Sequence, residues 1–214
     1  RFLLKTKQIQ SNPFVKHKSL KTPKQVQIPF SEKEINGLFE LHFLETDFDS
    51  VRNRLVVELL YATGIRRAEL INLELQAIDF YNCTIKVLGK RNKERIIPIS
   101  HSLFKEIQAY LNLRNPIAKG NKLFVLSNGK PLYPVFVYRR INELLGSLTT
   151  LDKKSPHILR HTFATHMLNN GAGLETLKAL LGHASLAATQ VYTHNSFAQL
   201  AQIYTQAHPR MMRD

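Results

Sequence analysis

The chain has 214 residues, enough to bury a hydrophobic core as a single domain. Thirty Lys and Arg residues against 16 Asp and Glu give a formal net charge of +14, which predicts a polyanionic partner, nucleic acid before an anionic membrane surface. No apolar run approaches the roughly 20 residues of a membrane span, and the opening RFLLKTKQIQ is too short and polar for a signal peptide. A lone cysteine cannot form an internal disulfide, so we expect a cytoplasmic protein.

The first 30 residues predict a lead-in to the compact domain. Residues 1–10 are typical of the end of a preceding helix, and we expect a further domain upstream. Residues 11–30 are rich in proline and lysine and have no acidic residue, which predicts an extended linker lying along a phosphate backbone. The candidate DNA contacts in this linker are Lys16, Lys18, Lys21 and Lys24.

The compact domain is predicted to begin at residue 31. Ser31 and Glu34 have the spacing of a capping box for a helix that runs to about residue 44. A second helix fits SVRNRLVVELLYATG, with one apolar face and Gly64 as its end. RRAEL follows as a short helix beside this glycine turn.

The middle of the chain predicts a β-hairpin with a basic tip, from CTIKVLGKRNKERIIPI. Cys83 is interpreted as strand filler in this hairpin, and KLFVLSNGKPLYP as a small second hairpin. Further helices are predicted near residues 102–113, 134–146, 157–169, 174–181, 185–194 and 196–207. We therefore expect a mainly α fold with a small antiparallel β-sheet, in the α+β class.

Three histidines and an arginine lie close together in SPHILRHTFATHML, residues 155–168. The spacing of His157 and His161 would suit zinc on one helix face. However, Ile158 stands where a zinc protease has its glutamate, and Arg160 would repel a cation. Ser155 can cap this helix, so the sequence favours an anion site, with phosphate as the candidate.

Other chemistries lack their usual residues. The carboxylates form no cluster that would hold magnesium, and no GxxxxGK loop is present, which excludes a two-metal nuclease and a P-loop nucleotide hydrolase. Side-chain cations would have to provide the electrostatics of any phosphate chemistry. Arginine, lysine and histidine occur in four short motifs, each of which is weak evidence alone.

Taken in order, those motifs resemble the tyrosine recombinases. The resemblance depends on ATGIRRAEL, GKRNKER, PHILRHTFATHML, and LLGH with a tyrosine nine residues later, and it is nearest to the Xer-type resolvases, relatives of the phage integrases. It implies that residues 1–30 end a linker from a DNA core-binding domain and that residues 31–214 form the catalytic domain. It implies DNA strand transfer without a cofactor and without a metal.

The resemblance also implies roles for six residues. Tyr192 would be the nucleophile that forms a 3′-phosphotyrosine, and Lys90 would protonate the leaving oxygen. Around the phosphate would lie Arg66, His157, Arg160 and His183. Arg67 departs from the small apolar residue usual there and is interpreted as solvated rather than as a DNA contact, while His161 and His166 are interpreted as structural.

The expected partners are a double-stranded DNA recombination site and three further copies of the chain. Additional candidate DNA contacts are Arg91, Lys93, Arg139 and Arg140. Phe197, Leu200, Ala201 and Tyr204 give residues 196–207 one apolar face, and the resemblance implies that this helix is exchanged between protomers of a tetramer. Packing of that face on its own domain is the alternative. A paralogous recombinase and a DNA translocase are further partners implied by the resemblance.

Several other functions remain open at this point. An integrase of a phage or mobile element would use the same catalytic residues, and a type IB topoisomerase would use similar ones without a partner site. The charge alone would also fit a catalytically silent DNA-binding protein. A zinc protease is the most distant alternative.

Overall fold

The computed structural model describes residues 2–11, 28–40, 47–89, 92–146, 154–182 and 194–211. These residues are mainly helical and include a small three-stranded antiparallel sheet, which confirms the predicted fold class. The helices are α1 Phe2–Lys5, α2 Glu32–Glu40, α3 Phe48–Thr63, α4 Arg67–Asn72, α5 His101–Arg114, α6 Pro134–Gly146, α7 Pro156–Asn169, α8 Leu174–Leu181 and α9 His194–Ala207. The strands are β1 Ile78–Asp79, β2 Thr84–Leu88 and β3 Glu94–Pro98, and a 3-10 turn spans Leu75–Ala77.

Helix α3 is the centre of the core. The Asp47 carboxylate caps its start by accepting from the Ser50 backbone N–H at 2.8 Å, and Gly64 ends it with a positive φ of 60°. Helices α5, α6 and α7 pack around it. The sequence predicted that this helix buries one apolar face. In the structure nearly every residue of the second half of α3 is buried, including Glu58, so the buried surface is wider than predicted.

The predicted hairpin is confirmed, and it gains a third strand. β2 and β3 pair antiparallel with Ile85 opposite Ile97, and β1 pairs with the other edge of β2. Cys83 is not a strand residue: it lies in the turn before β2 with a φ of 49°. The second hairpin is reduced to a turn with an isolated bridge between Val125 and Pro131.

Two predicted helix starts are confirmed by their hydrogen bonds. At α2, the Ser31 backbone N–H donates to the Glu34 carboxylate at 2.8 Å, and the Glu34 N–H donates to Ser31 Oγ at 3.2 Å. Ser155 caps α7 and Pro156 occupies its first turn. The rest of the helix predicted to reach residue 44, and most of the helix predicted for 185–194, lie outside the described residues.

Helix α8 ends at a glycine beside the predicted site residue His183. Gly182 ends α8 with a φ of 63°, a left-handed conformation that favours glycine.

Of the described helices, none is long and apolar enough to span a bilayer.

Candidate active site

The structure describes six of the predicted site residues, namely Arg66, Lys93, Arg139, Arg140, His157 and Arg160. The other predicted site residues lie outside the described ranges: Lys16, Lys18, Lys21, Lys24, Lys90, Arg91, His183 and Tyr192. The geometry of the site is therefore built from two of its predicted arginines and one histidine, and from the residues that hold them.

Arg66 and Arg160 meet at the carboxyl end of α8, although they are 94 positions apart in the sequence. Arg160 Nη2 donates to the Leu181 carbonyl at 2.8 Å, and Arg66 Nη1 donates to the same oxygen at 3.4 Å. Arg66 Nη2 also donates to the Gly182 carbonyl at 3.4 Å. The last carbonyls of a helix lack partners within the helix and carry partial negative charge, so they attract both guanidinium groups.

Helix α7 places His157 and Arg160 one turn apart. His157 lies exposed in the first turn, and Arg160 is half-buried one turn further in. Arg160 Nη1 donates to the Gly64 carbonyl at 2.6 Å, which ties α7 to the turn that precedes Arg66. Burial, together with the charges of Arg66 and Arg95, lowers the pKa of Arg160 to about 10. Arg160 therefore remains charged at neutral pH.

Two buried residues complete this arrangement, and neither was predicted from the sequence. The Glu69 carboxylate accepts from Arg66 Nη1 at 2.9 Å and from the Arg66 backbone N–H at 2.8 Å. Arg95 Nη2 donates to the same carboxylate at 2.7 Å, and Arg95 Nε donates to the Leu180 carbonyl at 2.7 Å. The available signals were the three-residue spacing of Arg66 and Glu69 on α4 and the inward position of Arg95 in the alternating strand β3.

We call the set of Arg66, Arg95, Arg160 and Glu69 the site cluster. Burial raises the pKa of Glu69, but hydrogen bonds from Arg95 and Arg66 and the charge of Arg95 outweigh it, and the pKa lies below its ordinary value. Glu69 is therefore ionised, and three guanidinium groups face one carboxylate. This excess of positive charge is carried by planar guanidinium groups with several N–H donors, which suits a phosphate group.

The remaining basic candidates differ in their surroundings. Lys93 and Arg139 are exposed. Arg140 pairs with Glu143 at 2.8 Å and lies over the Phe136 ring at 5.5 Å, so part of its charge is balanced within α6.

Arg67 and two histidines have contacts that bear on their interpretation. Arg67 Nη1 donates to the Pro134 carbonyl at 3.4 Å, which connects α4 to α6 rather than leaving the side chain simply solvated.

The other two histidines of α7 differ in burial. His161 is exposed, whereas His166 is buried and forms hydrogen bonds of 2.9 Å with Tyr61 Oη and with the Phe30 carbonyl. Among the described residues, no three His, Cys, Asp or Glu side chains are grouped to hold a metal ion.

The predicted apolar face of the C-terminal helix packs on its own domain. Leu200 and Tyr204 are buried, and Tyr204 Oη donates to the Ala62 carbonyl of α3 at 2.7 Å. Beyond α9, His208 is buried and Arg210 pairs with Glu58 of α3. The alternative of packing within the same chain thus describes this structure, and exchange between chains would have to break these contacts.

Comparison with known proteins identifies the family. The model of the phage integrase family matches residues 30–199. The chain belongs to the phage integrase family, and it is a tyrosine recombinase. It is 44% identical to tyrosine recombinase XerC of Staphylococcus carnosus over 95% of this chain and 69% of that protein. It is 37% identical to tyrosine recombinase XerC of Chlorobaculum parvum over 98% of this chain and 69% of that protein.

Solved structures agree with this assignment. The crystal structure of XerA recombinase superposes with a TM-score of 0.66 at 34% identity, covering 88% of this chain and 68% of that one. The integrase from mycobacterium phage Brujita has a TM-score of 0.70 at 24% identity, covering 97% of this chain and 67% of that one, and shows the shared fold alone. The tyrosine recombinase described here is a site-specific recombinase whose sequence is closer to these XerC and XerA proteins than to that phage integrase.

Proposed function

We propose that this chain cleaves and rejoins DNA strands through a covalent 3′-phosphotyrosine at Tyr192, in Xer-type resolution of chromosome or plasmid dimers. The observation that carries the proposal is the site cluster, in which Arg66 and Arg160 converge from α4 and α7 with more positive charge than Glu69 balances. The site-specific XerC and XerA relatives support the Xer role over that of a mobile-element integrase.

The two arginines would act on the non-bridging oxygens of the scissile phosphate. Attack on a phosphodiester builds negative charge on these oxygens, and each guanidinium can donate two parallel hydrogen bonds to them. Arg66 and Arg160 already share the Leu181 carbonyl as an acceptor, so their N–H groups converge on one small region. The phosphodiester shares a full negative charge between its two non-bridging oxygens, so either oxygen would compete well with that neutral carbonyl.

The nucleophile needs help at neutral pH. A free tyrosine has a pKa of about 10, so ionising it at pH 7 costs roughly 4 kcal/mol. We assign His157 to accept the phenol proton, because it lies exposed on the first turn of α7 beside Arg160. The cluster's positive charge would favour the phenolate in addition.

The reaction balances without an energy source. The phenolate oxygen of Tyr192 forms a bond to phosphorus, and the bond from phosphorus to the 5′ oxygen breaks. Lys90 would supply the proton that the departing 5′ oxygen takes up, and His183 would donate a hydrogen bond to the phosphate. Because the phosphotyrosine keeps the energy of the phosphodiester, a 5′ hydroxyl can attack it and rejoin a strand without nucleotide hydrolysis.

DNA would be held by basic side chains around the cluster. We assign these contacts to the linker, the hairpin tip and helix α6. The residues are Lys16, Lys18, Lys21 and Lys24 in the linker, Arg91 and Lys93 in the hairpin, and Arg139 and Arg140 on α6. Most of these would touch phosphates, which position the protein, and a few would touch bases, which specify the site. Arg139 is better placed for this than Arg140, whose charge Glu143 partly balances.

We further propose the assembly that recombination needs. Residues 1–30 would end the linker from a DNA core-binding domain, and residues 31–214 would form the catalytic domain. Four copies would assemble in the cytoplasm on paired sites by exchanging residues 196–207, with a paralogous recombinase and a DNA translocase as further partners. The contacts of Tyr204 and Arg210 with α3 would then describe the unassembled protein.

Covalent trapping tests the proposal. The purified protein would be incubated with fragmented genomic DNA, denatured, and examined for DNA that stays attached to protein, which is then sequenced. We expect one duplex sequence, termed the trapped site, and no adduct with Tyr192→Phe. An adduct that survives in Tyr192→Phe would contradict the proposal, and a trapped site at the end of a mobile element would favour an integrase.

A further inference from the structure

Arg95 is a buried charged residue on strand β3, at the end of the motif GKRNKER, and no role was predicted for it from the sequence. Its side chain is 5% exposed, and its described side-chain hydrogen bonds go to Glu69 of the site cluster and to the end of α8. Nη1 and Nη2 donate to the two oxygens of Glu69 at 3.1 and 2.7 Å, and Nε donates to the Leu180 carbonyl at 2.7 Å. One planar side chain therefore joins α4, β3 and the end of α8.

Two glycines approach Arg95 closely, and each precedes a proposed active-site residue. A Cβ added to Gly182 would lie 3.1 Å from Arg95 Nη1, and one added to Gly89 would lie 3.5 Å from the same atom. Gly182 comes directly before His183, and Gly89 directly before Lys90. The pair of Arg95 and Glu69 thus lies beneath the chain segments that lead to both residues.

Arg95 also changes the charge that Arg66 offers. Without Arg95, the Glu69 carboxylate would pair with Arg66 alone, and the two charges would largely cancel. With Arg95 present, Glu69 accepts a bidentate pair from a second guanidinium, so the positive charge of Arg66 is only partly balanced. Arg66 has 31% of its side chain exposed, whereas Arg95 has 5%. Arg66 is therefore the arginine that an incoming phosphate can reach.

We infer that Arg95 is a positioning residue for strand cleavage: it fixes Glu69 and the end of α8, and it leaves the charge of Arg66 available to the phosphate. This inference rests on the proposed function. Arg95 itself would not touch DNA, because it is buried behind Glu69 and Leu180.

The chain offers a matched control for a purely structural role. Arg114 on α5 is also buried, with 1% exposure, and donates only to backbone carbonyls, among them Ala118 at 3.0 Å and Leu123 at 3.1 Å. None of its described partners belongs to the site cluster. Arg114→Gln should therefore lower stability without altering the chemistry of cleavage.

The experiment measures binding and single-turnover cleavage of a nicked duplex that carries the trapped site, well below the melting temperature of each variant. We expect Arg95→Gln to bind within about threefold of wild type but to cleave about 10- to 100-fold more slowly, since small misplacements of catalytic groups have effects of this order. Arg95→Lys keeps the charge but cannot bridge both oxygens of Glu69 and the Leu180 carbonyl, so it should remain at least about tenfold slow. Arg114→Gln should cleave at the wild-type rate.

A double-mutant cycle distinguishes positioning from general destabilisation. If Arg95 acts through Arg66, the loss caused by Arg95→Gln should shrink to below about threefold in an Arg66→Ala background. A loss of full size in that background, or an equal loss of cleavage in Arg114→Gln, would overturn the inference. So would wild-type cleavage by both Arg95 variants. A wild-type protein that forms no adduct would instead contradict the proposed function and this role with it.

Discussion

Two groups of arginines and carboxylates each join separate elements of the domain, and they differ in the ratio of arginines to carboxylates. The site cluster sets three arginines against the single carboxylate of Glu69. The second group, which we call the tail cluster, joins the C-terminal segment to α3 and α5 and sets two arginines against two carboxylates. Its members are Arg54, Glu58, Glu106 and Arg210.

The difference in balance indicates a difference in role. In the tail cluster Glu58 is 1% exposed and Arg210 is 16% exposed, and both arginines are engaged by carboxyl groups of the protein. This group holds the segment beyond α9 to α3. The site cluster keeps an excess of positive charge next to solvent, and that excess remains to be balanced by a ligand.

The largest expected effect comes from removing a guanidinium from the site cluster. Arg160→Ala should slow single-turnover cleavage of the trapped site by about 10²- to 10³-fold, because one donor to the developing charge is lost. Arg54→Gln removes a guanidinium from the tail cluster and should cleave within about threefold of wild type. Equal losses in the two variants, measured on the same nicked duplex, would contradict the division of roles between the clusters.

The second effect concerns how stably the C-terminal segment docks on α3. Arg210→Met removes the nearer of the two arginines that pair with the buried Glu58 carboxylate, which typically costs about 3 kcal/mol. We expect hydrogen-exchange protection of residues 200–210 to fall about 100-fold, while protection of β2 and β3 stays unchanged. The double variant Glu58→Gln with Arg210→Met should recover part of the protection. Unchanged protection in Arg210→Met would show that the tail cluster does not hold the segment.

The same two clusters show what sequence could predict. Arg66, His157 and Arg160 were found because they lie within short motifs whose order and spacing are informative. Glu69 and Arg95 also lie within the motifs ATGIRRAEL and GKRNKER, but they were missed because each is locally ordinary, an acid in the first turn of a helix and an arginine in a strand. Their importance arises only when α4, β3 and α8 are brought together, and no local pattern encodes that contact.

Sequence separation explains the other differences. Glu58 interrupts an apolar run in the sequence, and its role as a buried partner of Arg210, which lies 152 residues away, cannot be read from that run. The elements themselves were predicted well where caps and periodicity are strong, as at Ser31 and Gly64. Strand β1 was missed because two residues are too few to show an alternating pattern.

The third effect is a dependence on pH of the docking of the C-terminal segment, through the buried side chain of His208. Its ring is enclosed by Tyr61, Phe163 and Tyr204 at centroid distances of 5.1 to 5.5 Å. Burial, with the charges of Arg210 and His166, lowers the pKa of His208 to about 3, although a backbone hydrogen bond with Tyr61 opposes the shift. The ring is therefore neutral when the segment is docked.

The sign of the effect follows from this lowered pKa. A neutral buried histidine contributes its full stability above its ordinary pKa of about 6.5, and that contribution is lost progressively as the pH falls toward 3. At pH 5.5 we expect a loss of about 1.4 kcal/mol, seen as a tenfold fall in hydrogen-exchange protection of residues 204–210 after correction for the intrinsic rate. His208→Phe, which keeps a buried ring that cannot titrate, should show no such fall. An equal fall in that variant would assign the effect to another group.

The smallest effect tests the protonation of Glu106 in the tail cluster. Burial, a hydrogen bond with Glu58 and the charge of Glu58 raise the pKa of Glu106 to about 8, against the opposing charges of Arg54 and Arg210. A carboxyl whose pKa is raised on folding destabilises the protein as the pH rises above its ordinary value of about 4.3, and the cost is complete above pH 8. At neutral pH Glu106 therefore keeps its proton, and Glu58 is the ionised carboxylate that faces Arg54 and Arg210 in the tail cluster.

Glu106→Gln removes the proton that can be lost and still accepts a hydrogen bond from Arg54, which lies 3.0 Å from Glu106 Oε1. We expect this variant to melt about 2 to 4 °C above wild type at pH 9 and at nearly the same temperature at pH 5. Glu143→Gln is the matched control, because Glu143 is exposed on α6 and pairs with Arg140 at 2.8 Å, so its removal should give no gain at pH 9. If Glu106→Gln lowered the melting temperature at pH 9, an ionised Glu106 would be stabilising, and the tail cluster would hold its second negative charge at no cost.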